Sequence, residues 1–353
     1  GTVSTLLNSL PVTLVSTGDV SLGSGSTLRV DVQGASAYGQ LDVMGNVTLG
    51  GTLSVNFGYN ATIGDAYTLI NNDGIDAVVG TFSGLAEGST VAAAGQRFQI
   101  TYHGGDGNDV MLTRVQDGSA VALVSGGGTV YGQNATFTAT VTGQANGADA
   151  PAGSVQFYDG ATALGNAVTL DSNGAATLTI GSLSRATHSI TAVYSGTDAF
   201  ATSTSNAVSQ VVAKSTSGIN VAQDSLNSVV GETINLTATV GATGLGSGGA
   251  TGTVRFLDGV TTLGTVSMVN GTASLNIGSL PLGTRTITAL YSGDTNFGSS
   301  STPVGVSHTV NQDTTTITVS SSTSSPTYND TITFTASVSA DAPGAGTTTG
   351  TIS

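Results

Sequence analysis

Along much of the chain, apolar and hydroxyl-bearing residues take turns. Ala135, Phe137, Ala139 and Val141 alternate with Thr136, Thr138 and Thr140, and Ile234, Leu236, Ala238 and Val240 alternate in the same way further on. A period of two is the pleat of a strand with one buried face, so each run predicts a strand whose threonines face outward. The pattern returns at Val155 and Phe157, at Leu178 and Ile180, and at Ile190, Ala192 and Tyr194. It returns again at Val254 and Phe256, at Leu275 and Ile277, and at Ile287, Ala289 and Tyr291. Asp159-Gly160 and Asn270-Gly271 are tight-turn pairs between such runs. Several short alternating strands broken by turns predict a two-layered β-sandwich.

The strands are written out more than once. GQNATFTATV at 132–141 recurs as GETINLTATV at 231–240 and as NDTITFTASV at 329–338, at offsets of 99 and 98 residues. GSVQFYDG at 153–160 matches GTVRFLDG at 252–259, and AVYSG at 192–196 matches ALYSG at 289–293. A fixed period of this length means tandem modules. The third copy reads only as far as Gly350-Thr351-Ile352-Ser353, which corresponds to Gly153-Ser154-Val155-Gln156. The expectation is an incomplete last sandwich, whose missing strands come from further sequence or are donated by another chain.

Residues 1–116 read differently. VSLGSGSTLRVDV at 20–32, LDVMGNVTLGGTLSVNF at 41–57, YTLI at 67–70 and GTFSGL at 80–85 are short apolar runs punctuated by glycine. Such runs suit a parallel β-helix or a small β-sandwich that ends one. The expected class is all-β throughout.

Two resemblances sharpen this. FYDG, the IGSL turns at 180–183 and 277–280, and YSGTDAF or YSGDTNF at 194–200 and 291–297 resemble the bacterial immunoglobulin-like repeats of large surface and adhesin proteins, over roughly residues 118–353. That resemblance implies tandem seven-stranded sandwiches used as a stalk or adhesive array. The N-terminal stretch, finishing in YHGGDGNDVMLT at 102–113, is similar to the closing region of autotransporter-type passenger β-helices. The expected modules are 1–116, a first repeat at 117–213, a second at 214–311 and the N-terminal half of a third at 312–353. Linkers are expected near 213–218 and 311–315.

Composition narrows the function classes. The 353 residues carry 7 basic against 21 acidic side chains, which argues against a nucleic-acid partner. There is no Cys, so disulfides and thiolate metal sites are unavailable. No run of apolar residues is long enough for a membrane helix, so no membrane insertion is expected in this segment. Gly1 opens no signal-peptide pattern and is expected to be a cut inside a longer precursor.

The sharpest chemical motif is Gly104-Gly105-Asp106-Gly107-Asn108-Asp109-Val110-Met111-Leu112, which fits the nonapeptide of calcium-binding β-rolls. Asp106, Asn108 and Asp109 are its candidate metal ligands, with calcium the cation they suit. The competing expectation is a glycine-rich turn leading into the module's last strand. Acidic residues at corresponding turns, Asp159 with Asp258 and Asp198 with Asp294, read more simply as Asx turns than as cation ligands. Tyr194 and Tyr291 sit in the buried register, so their hydroxyls are expected to bond nearby backbone.

Catalysis has little support. His103, His188 and His308 lie apart in the sequence without a triad or metalloprotease pattern, and Trp is absent. Lys214, the one lysine, stands between modules and offers no isopeptide staple. The expected function is a non-enzymatic stalk or adhesive segment of a secreted bacterial surface protein. Its expected partners are other copies of itself, or glycans and proteins of cell surfaces and matrix. The alternative is a repeating subunit of an extracellular filament or sheath, and a polysaccharide-active enzyme ranks behind both. Glycine-rich loops at 143–152, 241–251 and 339–349 occupy the same point of each repeat and are the expected place for any ligand.

Overall fold

The computed structural model describes residues 1–7, 9–144, 151–278 and 280–353. Among them every regular element is a strand, so the chain is all-β. It divides into two compact units. One comprises residues 1–126, 136–179 and 188–209, and the other comprises 127–135, 180–187 and 210–353.

The first unit opens with parallel ladders. Thr2–Ser4, Thr27–Gly34 and Thr52–Phe57 stack in parallel, with Thr2 opposite Thr27 and Thr27 opposite Thr52. Thr13–Ser16, Gln40–Val43 and Ala66–Asn72 form a second parallel ladder, in which Leu14, Leu41 and Ile70 lie in one row. Val20–Leu22, Val47–Leu49 and Val79–Gly80 form a third. The chain visits the three ladders in turn and returns one strand higher, so residues some 25–31 apart become neighbours, as Thr2 with Thr27 and Thr48 with Val79. Leu28, Val30, Val32, Val43 and Val47 point into the shared core and are fully buried. The polar residues between them face outward or bond one another, as when Asn56 Nδ2 donates to Asp31 Oδ1 at 2.9 Å.

Antiparallel strands close the stack. Gln96–Gly104 pairs with both Thr90–Ala93 and Asp109–Val115, and the last of these pairs in turn with Ala66–Asn72. Phe57 and Phe98 stack with centroids 4.0 Å apart, and Tyr67 meets Phe57 edge-on at 5.3 Å. Such aromatic burial supplies much of the core's stability. The same unit holds most of the first repeat: Ser119–Ser125 against Ala135–Gly143, and Ser154–Asp159 between Thr162–Thr169 and Thr187–Tyr194.

The second unit contains a complete sandwich. One sheet is Ser217–Gln223, Ile234–Ala242 and Thr272–Ile277. The other runs Asn227–Val229, Val306–Asn311, Gly283–Tyr291, Thr253–Asp258, Thr261–Ser267, with Ser300–Ser301 on Gly283–Tyr291. Ile234, Leu236, Ala238 and Val240 of the first sheet pack with Val254, Phe256, Ile287, Ala289 and Tyr291 of the second in one core. The alternating apolar positions are therefore the buried ones.

Beyond it, Thr315–Ser321 and Phe334–Ala340 form a hairpin, with Ile317 opposite Val338 and Val319 opposite Ala336. Phe334, the counterpart of the fully buried Phe137 and Leu236, is 69% exposed. The register of this strand pair is the same in all three repeats, with Phe137 opposite Ser125, Leu236 opposite Gln223 and Phe334 opposite Ser321; what differs is the presence of a facing sheet among the described residues.

Candidate functional site

Two places in the chain join parts that the sequence separates: the turn at 104–109, and the junctions between consecutive modules.

The nonapeptide forms the hairpin turn between Gln96–Gly104 and Asp109–Val115, closed by Gly107 N donating to the Gly104 carbonyl at 2.7 Å. Asp106 is exposed at the tip, whereas Asn108 and Asp109 are buried. Gly105 has φ +55°, and a Cβ there would fall 1.8 Å from Asp109 Oδ2, so glycine is required for the carboxylate to fold back under the turn. Asp109 Oδ1 accepts the Asn72 N–H at 3.0 Å. Burial raises the Asp109 pKa, the Asn72 N–H opposes that rise, and the negative charges of Asp106 and Asp42 add to it. Among the described residues, no three His, Asp or Glu side chains converge closely enough to hold a metal by themselves.

The acidic turns hold other partners than their own backbone. Asp159 Oδ2 lies 2.7 Å from His188 Nδ1, and Asp258 Oδ2 lies 3.5 Å from the Arg285 guanidinium. Asp294 caps its own turn, accepting Asn296 N and Phe297 N, and also accepts Thr251 N and Thr251 Oγ1, each at 2.7 Å. Partial burial opposes ionisation, but these four donors win and hold its pKa down to about 2. In the first repeat the equivalent position is Thr197, whose Oγ1 accepts Phe200 N–H at 3.2 Å, while Asp198 is exposed one residue on.

Tyr194 is buried and donates to the Ala152 carbonyl at 2.6 Å. Tyr291 is equally buried, but its hydroxyl faces Asp294 and makes no full hydrogen bond. Burial, reinforced by the Asp294 charge, raises its pKa.

The histidines stay apart. His103 Nδ1 sits 3.2 Å from Glu87 at the surface. His308 Nε2 is 2.8 Å from Ser228 Oγ, the spacing of a nucleophile and its base, and its Nδ1 faces the Ser225 carbonyl at 3.2 Å. His308 is 0% and Ser228 5% exposed, so no substrate reaches the pair. It is a satisfied core contact.

The junctions form the second place. Only residues 214–216 separate Val208–Ala213 from Ser217–Gln223, and they are tied down. Ser215 N donates to the Asn296 carbonyl and Gly298 N to the Ser215 carbonyl, both at 2.9 Å, and Lys214 Nζ bonds the carbonyls of Asp294 and Phe297. Tyr131 packs edge-on against Phe297 with centroids 5.9 Å apart. Ser247 Oγ donates to the Gly132 carbonyl at 2.9 Å, and a Cβ on Gly132 (φ +78°) would come within 2.3 Å of the Ser247 carbonyl oxygen.

The arrangement recurs one repeat later. A Cβ on Gly231 would come within 2.6 Å of the Ala345 backbone, and Ala345 N donates to the Val230 carbonyl at 3.3 Å. The glycine-rich loops at 241–251 and 339–349 are thus seated against the preceding repeat at these contacts. In the corresponding loop at 143–152, residues 145–150 lie outside the described residues.

At the first junction, Asp117 N donates to the Ala199 carbonyl at 2.8 Å, and Ala201 N donates to the Asp117 carbonyl at 2.9 Å. Gln116 Nε2 donates to the Thr197 carbonyl at 2.7 Å, as Lys214 does to Asp294. Nothing in the sequence marks these pairs, since each joins residues some eighty apart.

Comparison with curated proteins finds no match. Among solved structures, similarity extends to the fibronectin(III)-like modules of CbhA from Clostridium thermocellum, at 19% identity over 54% of this chain and 94% of that one, TM-score 0.23. It extends also to the D0-D1 domain of Intimin, at 21% identity over 54% of this chain and 97% of that one, TM-score 0.21. The adhesin InvE of Yersinia pseudotuberculosis matches at 18% identity over 53% of this chain and 58% of that one, TM-score 0.28. At these scores the likeness bears on neither activity nor partners. No helix among the described residues is long and apolar enough to cross a membrane.

The sequence family is decided separately. The bacterial Ig-like domain (group 3) pattern matches residues 123–213 and again 221–311, the same two copies whose alternating strands build the sandwich cores. With more than half of its residues in those two copies, the chain belongs to the bacterial Ig-like domain (group 3) family.

Proposed function

We propose that the chain is a structural stalk or adhesive segment of a secreted bacterial cell-surface protein, acting by reach and surface instead of by catalysis. The modules are 1–116, a short coiled cap or solenoid end, then repeats at 117–213 and 214–311 and the beginning of a third at 312–353. The observation that carries this reading is the repeated junction. The Tyr131-Gly132 turn receives Ser247 just as the Val230-Gly231 turn receives Ala345. A chain selected only to contain independent domains has no need to seat each new repeat on the last in the same way. One selected to transmit position along a row of modules does.

The acidic balance and the threonine-coated outer faces keep such a row hydrated. Partners on this reading are surface or matrix glycans and proteins, or further copies of the chain. Treatment of intact source cells with protease tests the assignment. Digestion of the chain while cytoplasmic markers survive is the expected result, and full protection until lysis overturns it.

A further inference from the structure

Three buried oxygens in one corner of the first module have nothing to bond. Among the described residues, eight buried side-chain nitrogen or oxygen atoms lack a hydrogen-bond partner, and three of them are Asn72 Oδ1, Asp76 Oδ2 and Asn108 Oδ1. All three are acceptors on a fold whose buried polar atoms are otherwise largely paired. Asn72 and Asn108 are 1% and 6% exposed, so bulk water does not compensate them.

The two amides are not free to turn. Asn72 Nδ2 donates to the Asp76 carbonyl at 2.7 Å, and Asn108 Nδ2 donates to that same carbonyl at 3.0 Å and to the Gly74 carbonyl at 3.2 Å. Rotating either amide would set its oxygen against a main-chain oxygen, so the backbone dictates which atom is left over. Asp109 fastens the same corner through the Asn72 N–H, whereas Asp42 pairs with Asn71 across the parallel ladder and so takes the face opposite Asn72.

The corner therefore gathers carboxylate and amide oxygens on two connections, the 72–76 loop and the 104–109 turn. A buried water donates only two hydrogen bonds and brings no charge. A hard divalent cation takes six to eight oxygens in flexible geometry, from carboxylates, amides and water alike, which describes calcium better than the strictly octahedral magnesium.

We propose that Asn72, Asp76 and Asn108, with Asp109 supplying negative charge beside them, form a calcium site that ties the 72–76 loop to the 104–109 turn. Asp106, exposed at the tip of that turn, is not among its ligands. The site differs from the half-cage that one β-roll nonapeptide offers, because two of its three ligands come from outside that motif. With few carboxylates, its affinity falls in the range of extracellular modules, a Kd on the order of 0.1–1 mM. The proposal does not depend on the stalk reading.

Isothermal titration of the chelator-treated full chain with calcium chloride, paired with hydrogen exchange over the two connections, tests it. The expected result is a single calcium-dependent event that slows exchange in both 72–76 and 104–109. Asp76→Asn, which keeps shape but loses charge, and Asn108→Ala are each expected to weaken binding by more than about tenfold, while Asp106→Ala leaves it within about twofold. Exchange of the parallel ladders in the absence of calcium shows whether either variant still folds. No calcium-dependent heat or protection in the wild type overturns the proposal and leaves water as the occupant. Binding abolished by Asp106→Ala but indifferent to Asp76→Asn overturns it in favour of the nonapeptide turn.

Discussion

The guanidinium of Arg114 grips both oxygens of Asp117, at 2.7 and 3.1 Å, and both side chains are only 6% exposed. Arg114 also donates to the carbonyls of Arg97 and Val115 and lies 5.8 Å from the Phe98 ring centre, in the core of the first module. Asp117 in turn is bridged to Phe200 of the first repeat. Removing one partner strands the other as a buried charge, which typically costs about 3–5 kcal/mol. Asp117→Ala should lower the denaturant midpoint of the first unfolding transition by that equivalent. The double change Arg114→Met with Asp117→Leu should recover most of the loss. If the double variant is as unstable as the single one, the ion pair is not the cause.

The glycines at the junctions have no room for a side chain. Gly132→Val or Gly231→Val places a Cβ on a left-handed φ and against the next repeat's backbone, at a local cost of about 1–3 kcal/mol. The repeat cores should stay folded by circular dichroism. The expected change is new cleavage in residues 213–217 for the first variant and 311–315 for the second under limited proteolysis, where the wild type resists.

Asp294 makes the second repeat acid-sensitive in a defined window. Its folded pKa is held down to about 2, below its unfolded value, so the stability it contributes is present above the unfolded value and drains away as pH falls toward 2. Asp294→Asn should flatten that part of the stability profile, measured by thermal unfolding between about pH 5 and 2. A profile identical to the wild type's would mean another carboxylate dominates.

Equivalent phenylalanines should differ sharply. Phe137 is 0% exposed and its replacement by Ala should cost about 3–5 kcal/mol. Phe334 is 69% exposed, and the same replacement there should stay within about 0.5 kcal/mol. Chemical denaturation of the two variants decides the matter.

How far the fold was readable depended on how local each signal was. Phe137, Leu236, Phe256 and Ile287 announce their burial through alternation, which is a property of neighbouring residues, and the repeat offsets fix the two family copies. Asp159 and Asp258 looked like turn caps because the sequence shows the turn and hides the adjacent strand; His188 and Arg285 reach them from 29 and 27 residues away. The loops at 241–251 and 339–349 looked like free tips for the same reason, since Gly132 and Val230 lie more than a hundred residues upstream. For the candidate cation site, Asn108 and Asp109 were visible in a motif. Asn72 and Asp76 were not, because only the closing of the stack brings them to the turn.

Asn227–Val229, near the start of the second repeat, lies parallel to the end of that repeat at Thr309–Asn311, with Ser228 opposite Val310. Tension applied through the two ends of the domain therefore pulls these strands past one another lengthwise, so their hydrogen bonds must yield together instead of opening one at a time like a zip. Thr129 and Val130 are paired with Val212 and Ala213 in the same sense, which gives the preceding repeat the same mechanical clamp.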